Sequence, residues 1–254
     1  MTGANALVAR FALARADPTL VVLEGFHALK HALRFGARIE TACTPDLAAL
    51  LRLASELAPD VCDRLRDTVR EVAPATFAGL APVPPATGAL AIATRPEVDA
   101  ARVLKQPGVA PVVLLDNPSH PGNLGAVVRV AAAAGAAAVL TTGARDPWQH
   151  AALRGSAGLH FALPVASVEP LPETDRPLLA IDPDGEPLRG ISTMDRVILA
   201  FGSERRGLGP GLLARAERRI AIPMRAGVSS LNLACAVAIV LYHWLAARPQ
   251  ADRF

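Results

Sequence analysis

Asn123, Arg129, Glu204, Ser230 and Asn232 are the side chains whose types and settings point to chemistry in this 254-residue chain. Each lies in or just after a loop that follows an apolar run: PVVLLDNPSHPGNLG, LAFGSERRGLG and IAIPMRAGVSSLN. Glycine-bearing loops that open onto helices expose backbone N–H groups to a ligand. Polar side chains gathered at the carboxyl ends of parallel strands are where such sheets bind ligands. Each residue also has a purely structural reading. Asn123 and Ser230 would cap helices, Arg129 would cover a helix face, and Asn232 would satisfy backbone groups; taken singly, neither reading prevails.

Several chemistries are disfavoured. No G-x-G-x-x-G follows a first strand and no G-x-x-x-x-G-K-[ST] occurs, which argues against a dinucleotide fingerprint and a P-loop. No G-x-S-x-G elbow is present, and Ser203 lacks His and Asp partners in triad order. His27 and His31 sit one helical turn apart without a third ligand, so no metal is expected.

Charge is more informative locally than globally. The chain carries a formal +3 with pI near 9.1, almost wholly from arginine, since Lys30 and Lys105 are its only lysines. Arginine forks suit bidentate phosphate contacts, although codon bias gives the same composition. Between Arg205 and Arg225, six arginines face one acid, Glu217. That excess beside a glycine loop fits an anionic partner, with an ordinary solvated face as the alternative.

Cys43, Cys62 and Cys235 form no C-x-x-C pair and read as small buried groups in a reducing cytoplasm. The N-terminus lacks a continuous apolar run and makes a poor signal peptide. Leu231–Ala247 is the most apolar long stretch, but it holds Asn232 and His243 and is short for a membrane span. A cytoplasmic protein without membrane association is expected.

The elements that would position the polar set fall into two parts. Residues 1–96 read as a small α/β domain: a helix over 1–14, strand LVVLEG, helix GFHALKHALRFG ending at Gly36, strand RIETA, helices over 46–56 and 60–66, strand TVREVA, short helix ATFAGL and strand GALAIATRP. Residues 97–110, bracketed by prolines and a glycine, read as a linker. The chain then restarts with PVVLLDNP, a continuous apolar run of the kind buried on both faces of a parallel sheet. AVVRVAAAAG supplies a helix stopping at Gly135, AAAVLTT the next strand, PLLAID, RVILAFG and RRIAIP three more, and Ser230–Ala247 a final buried helix. The strand–loop–helix–strand order predicts a right-handed parallel crossover.

Taken together, HPGNLGAVVRVAAAAGA, LAFGSERRGLG and IAIPMRAGVSSLNLACAVAI resemble the three ordered motifs of the SpoU (TrmH-type) RNA ribose 2′-O-methyltransferases, members of the knotted SPOUT class. The resemblance takes in RGSAGLHFALPV (154–165) and covers essentially all of 111–247. LEGFHALKHAL and PPATGALAIA resemble, more loosely, the ends of the family's ribosomal-protein-like substrate-binding domain.

The resemblance implies an α/β fold: a C-terminal parallel-sheet SPOUT domain over 111–254 with a deep trefoil knot, preceded by an RNA substrate-binding domain over 1–96. It implies S-adenosyl-L-methionine as cofactor, held by Ala200, Phe201, Gly202, Glu204, Gly207, Ile222, Pro223, Met224, Ser230 and Leu231. Asn123, Arg129, Glu204, Ser230 and Asn232 would be catalytic, and Arg154, Arg205 and Arg206 would meet RNA. A homodimer is implied, with Arg129 serving the partner's cofactor. The family account often makes the first-motif arginine a base. Taking a guanidinium from above about 12 to near 7 costs on the order of 7 kcal/mol, which favours a phosphate anchor that also stabilises the developing alkoxide.

The implied substrate is RNA, ribosomal in preference to transfer RNA, with 23S ribosomal RNA foremost; a subset of the family confers thiopeptide resistance in this way. A tRNA 2′-O-methyltransferase and a non-catalytic RNA-binding or ribosome-assembly protein stay open as alternatives. The departures are Arg205 where glycine is usual, Val130 where threonine is usual, and Ser229 and Ala234 where Asp and Ser are common. None removes a side chain of the catalytic set.

Overall fold

A computed structural model describes residues 3–191 and 194–248. The chain divides into two compact units. One runs to Glu97 and includes Ala157–Ala162; the other comprises Val98–Ser156 and the chain from Leu163 onward.

In the first unit the order is α1 (Gly3–Ala16), β1 (Leu20–Glu24), α2 (Phe26–Arg34), β2 (Ile39–Thr44), α3 (Leu47–Leu57), α4 (Cys62–Thr68), β3 (Val69–Glu71), α5 (Pro74–Ala78) and β4 (Leu90–Thr94). The strands form one sheet in the order β1-β4-β2-β3, with only β2 and β3 parallel. Alternate strand residues Leu20, Val22, Leu90 and Ile92 face one side, where they bury Phe11 of α1 and Phe77 of α5. The strand-to-helix step between β1 and α2 turns at Gly25, whose φ of 93° is open to glycine at little cost.

The second unit contains α6 (Ala100–Lys105), β5 (Val112–Leu115), α7 (Pro121–Ala133), β6 (Ala138–Thr141), α8 (His150–Gly155), β7 (Val165–Ser167), β8 (Leu178–Pro187), β9 (Ile198–Phe201), α9 (Pro210–Arg215), β10 (Arg218–Ala221) and α10 (Leu233–Ala247). Its six strands lie in the order β10-β8-β9-β5-β6-β7, and every pairing is parallel. Val112, Leu114, Leu140, Ala180 and Ile198 build one core layer with Leu104 of α6 and Leu208. Val113, Leu115, Leu199 and Phe201 alternate to the opposite face and are equally buried, which is why these strands read as continuous apolar runs.

Three boundaries differ from the sequence reading. Residues 97–110 are more than a linker, because they hold α6, which Asp99 caps by accepting from the Arg102 N–H at 3.0 Å. Val103 and Leu104 are buried in the second unit, and Pro96 and Pro107 flank the helix without breaking it. Arg176, 3% exposed, donates to the carbonyls of Leu104, Gln106 and Ala110 at 2.8, 3.0 and 3.0 Å, closing the C-terminal end of α6. The final helix starts at Leu233 and not at Ser230, because Asn232 takes the capping position. β8 runs past Asp182 to Pro187, where Gly185 admits a backbone approach: a Cβ there would lie 2.5 Å from the carbonyl carbon of Arg219.

Cys43 is buried, whereas Cys235 is exposed on the first turn of α10, against its reading as a buried group. Among the described residues no helix is long and apolar enough to cross a membrane.

Candidate functional site

Strand β8, the loops that follow β9 and β10, and the start of α10 converge around a cavity of about 410 Å³. Ile181, Asp182 and Pro183 line it from β8, Phe201 to Arg205 and Gly207 from the loop after β9, Ile222 and Met224 from beyond β10, and Ser229, Ser230, Leu231, Leu233 and Ala236 from the approach to α10. A mostly apolar wall with a few convergent polar groups, within the 300–1,000 Å³ usual for small-ligand sites, suits a nucleoside-sized molecule.

One loop organises the others. Ser203 and Gly207 exchange backbone hydrogen bonds, each at 3.0 Å, and the Ser203 hydroxyl accepts from the Arg206 N–H at 3.3 Å. Gly207 turns the chain with a φ of 65°. Gly202 packs so tightly against the end of this turn that a Cβ would lie 2.0 Å from the Gly207 carbonyl carbon and 2.2 Å from the Leu208 nitrogen.

Glu204 ties that loop to the start of α7. Its Oε2 accepts from the Ser119 N–H at 3.2 Å and the Ser119 hydroxyl at 2.5 Å, and its Oε1 accepts from Asn123 Nδ2 at 2.7 Å. Partial burial pushes this carboxyl up, but the hydrogen bonds from Ser119 and Asn123 outweigh it and bring the group down to about 2. The chain of contacts continues: Asn123 Oδ1 accepts from Asn232 Nδ2 at 3.1 Å, and Asn232 Oδ1 accepts from the N–H groups of Ala234 at 2.9 Å and Cys235 at 3.4 Å. Because those N–H groups can only donate, they fix which end of each carboxamide faces which neighbour. Three sequence-distant motifs are thus joined through Ser119, Glu204, Asn123 and Asn232.

A second carboxylate holds the far end of the same loop. Asp116, just past β5, accepts from the Gly209 N–H at 2.7 Å and from the Thr142 hydroxyl at 2.7 Å. Neither Ser119 nor Asp116 stood out in the sequence, where Asp116 falls at the end of the run PVVLLDNP and Ser119 in the loop SHPGNLG; the usable signal was a carboxylate at the end of a buried parallel strand. Asp182 was missed for a similar reason, although it too follows an apolar run, PLLAID.

Of the expected cofactor residues, Phe201, Gly202, Glu204, Gly207, Ile222, Met224, Ser230 and Leu231 line the cavity. Ala200 does not: it is fully buried in the sheet core, one residue too early on β9 to reach the ligand space. Pro223 is not among the lining residues either. Asn123, Glu204 and Asn232 come together, and Ser230 stands exposed on the cavity wall. Arg129 is exposed on α7 and outside the cavity. Arg154, on α8, and Arg205 and Arg206 are all exposed; of these only Arg205 lines the cavity.

The chain is similar to known proteins over this same unit. The model of the SpoU rRNA Methylase family matches residues 110–242. The 23S rRNA (guanosine(2553)-2′-O)-methyltransferase RlmP of Bacillus subtilis is 34% identical over 141 residues, 52% of this chain and 56% of that protein. The chain spans about half the length of the curated relatives it matches. Among solved structures, an AdoMet-bound rRNA methyltransferase from Sinorhizobium meliloti is 25% identical with a TM-score of 0.73, covering 95% of this chain and 93% of that one. The SpoU methyltransferase AviRb from Streptomyces viridochromogenes shares the fold, with 24% identity, a TM-score of 0.73 and coverage of 93% and 96%.

Proposed function

The chain belongs to the SpoU rRNA Methylase family, and from that premise we propose that it methylates a ribose 2′-hydroxyl in RNA, with 23S ribosomal RNA as the substrate. The observation that carries this reading is the hydrogen-bonded chain from Ser119 through Glu204 and Asn123 to Asn232, which aligns three motifs beside one nucleoside-sized cavity. Ribosomal RNA is favoured over transfer RNA by the relative that acts on 23S rRNA.

The cavity fits S-adenosyl-L-methionine. Phe201, Ile222, Met224 and Leu231 offer an apolar wall for an adenine, and Gly207, where an added Cβ would meet nothing within 4 Å, leaves the loop backbone open to it. When bound, S-adenosyl-L-methionine would supply an electrophilic sulfonium methyl to the ribose 2′-hydroxyl, the oxygen–carbon bond forming in line as the carbon–sulfur bond breaks onto sulfur and the hydroxyl proton is lost to solvent. The protein's part is to hold the two reacting groups in near-contact geometry and to stabilise charge that develops on the oxygen.

Within that division of labour, Glu204 positions. Ionised, with both oxygens engaged, it is a poor proton acceptor near neutral pH, and it acts by fixing Asn123. Ser230 and the carboxamides of Asn123 and Asn232 orient the ribose, with the Pro223 and Ala200 backbone supporting the loops behind. Arg129 anchors an RNA phosphate, and Arg154 and Arg206 extend the basic surface on which RNA runs.

Arg129 is exposed and is not among the residues lining the cavity of its own chain, which supports a homodimer in which it completes the partner's site. Cys235, Ile239 and Tyr242 of α10 are exposed at helical spacing, and Leu231 and Val228 are exposed before it, an apolar stripe suited to a second copy. Further parts of the same reading are a C-terminal knot threading the chain after β10, an N-terminal unit that binds the RNA substrate, and a cytoplasmic setting.

Titration calorimetry with S-adenosyl-L-methionine, followed by transfer of labelled methyl to 23S rRNA and to tRNA, tests the proposal. Binding and ribose 2′-O-methylation of 23S rRNA are expected. Methylation confined to tRNA would move the substrate, and no binding at high micromolar cofactor would leave only an RNA-binding protein.

A further inference from the structure

Arg205 is the only cation on the cavity wall among the described residues, and it stands where the family pattern usually has glycine. The other charged groups there are acids. The Glu204 oxygens are taken by Ser119 and Asn123, and Asp182 Oδ1 accepts from the Asp184 N–H at 2.9 Å. The lining therefore carries one positive charge on a wall of apolar residues, three serines and two engaged acids.

The backbone that carries Arg205 is fixed. Glu204 on one side is anchored to Ser119 and Asn123; Arg206 on the other donates its N–H to the Ser203 hydroxyl; and the Ser203–Gly207 bridge closes the turn. Gly209 is held by Asp116. An exposed arginine of the cavity wall on a turn tethered in this way meets a ligand without the loop having to order on binding, which lowers the entropy cost of the contact.

We infer that Arg205 is the recognition group for an α-carboxylate on the ligand of this cavity, so that the site selects a nucleoside bearing an amino-acid tail over the bare nucleoside. This rests on the cofactor reading above, since the adenosine end is assigned to the apolar wall of Phe201, Ile222 and Met224. An amino-acid tail presents a carboxylate whose two oxygens match a planar guanidinium fork, and the fork pairs with it bidentately where an ammonium meets it as a point charge. The inference moves Arg205 from the RNA surface into the cofactor site and leaves Arg206 and Arg154 on that surface.

Calorimetry on the full chain separates the two ends of the ligand. The probes are S-adenosylhomocysteine, which has the tail, and 5′-methylthioadenosine, which lacks it. In R205Q, affinity for S-adenosylhomocysteine is expected to fall about ten-fold, the scale of one lost hydrogen bond to a charged group. Affinity for 5′-methylthioadenosine stays at the wild-type value, and R205K recovers part of the loss. The wild-type preference for S-adenosylhomocysteine weakens at high salt, as expected for an ion pair at an open cavity.

An equal loss for both probes would overturn the inference, since the substitution would then have disturbed the loop as a whole. So would an unchanged affinity for S-adenosylhomocysteine, and if that came with weakened RNA binding, Arg205 would return to the RNA surface. A wild-type protein that binds neither probe would instead overturn the cofactor reading itself, a result distinct from either of these.

Discussion

Asn123 Nδ2 donates to Glu204 Oε1 at 2.7 Å, joining residues 81 positions apart in the chain. With the two Ser119 donors, that contact brings the Glu204 carboxyl to about 2 against an ordinary 4.5. A carboxylate whose folded value is depressed contributes stability that is fully present above its unfolded value and is lost as pH falls toward the folded one. E204Q places an amide donor against a donor, so it should lower stability by about 2 kcal/mol at pH 7 and weaken cofactor binding. The difference in melting temperature between wild type and E204Q should narrow as pH falls from about 4.5 toward 2. The pH–rate profile of methyl transfer should show no inflection from Glu204 between pH 5 and 9. A parallel pair of melting curves across that range would remove Glu204 from the role given to it.

Asn232 carries two roles that substitution can separate. Its Oδ1 caps α10, and its Nδ2 donates to Asn123 Oδ1. N232A loses both and should destabilise the protein by about 1 kcal/mol. N232D keeps the cap but turns an acceptor toward Asn123 Oδ1 at an exposed position, so its melting temperature should fall no further than that of N232A while turnover falls at least about ten-fold. Wild-type turnover in N232D would reduce Asn232 to a helix cap, the structural reading that its sequence left open.

How much of this was legible in the sequence depends on whether a residue's partner lies nearby in the chain. The buried strands β5, β6 and β9 stood out because both faces of a central parallel strand are apolar, and the stop of α7 before Gly135 follows from local chemistry. The motifs named Asn123, Glu204 and Asn232, but not that they bond to one another, because those contacts span 81 and 109 positions. Ser119 and Asp116 were invisible for the same reason: their hydrogen-bond partners Glu204 and Gly209 come from a loop more than 80 residues later. α6 was misread because six residues are too few to display a helical period, and what holds the segment, Arg176, lies some 70 positions away. Ala200 was placed at the ligand by motif, whereas strand alternation turns it into the core.

Gly202 tests whether the tight turn matters to binding. A methyl group there would sit 2.0 Å from the Gly207 carbonyl carbon, within backbone that has no room to yield. G202A should cost about 2 kcal/mol in stability, at the centre of the range for overpacking, and should weaken cofactor binding with it. At Gly211 of α9 an added Cβ would meet nothing within 4 Å, so G211A serves as the matched control and should be neutral or mildly stabilising. Calorimetry and thermal melts on both variants read the contrast; equal behaviour of the two would show that the turn tolerates opening.

Arg129 is the member of the expected catalytic set that the fold holds apart. It lies six residues beyond Asn123 on α7, which turns the helix by about 240° and advances it about 9 Å, away from the face that meets Glu204 and Asn232. An arginine so placed is suited to act from another chain or through the RNA. R129A should therefore abolish methyl transfer while leaving cofactor affinity unchanged, and R129K should restore little, since an ammonium lacks the planar fork. Mixing distinguishes the two routes. If the site is shared between protomers, equimolar R129A and N232D, co-refolded, should form dimers in which one of the two sites has an intact Arg129 and an intact Asn232. Random pairing then recovers about a quarter of wild-type turnover. If Arg129 serves its own chain, every site in the mixture carries one defect and activity stays at the level of the single variants. Unchanged turnover in R129A alone would remove this arginine from the mechanism.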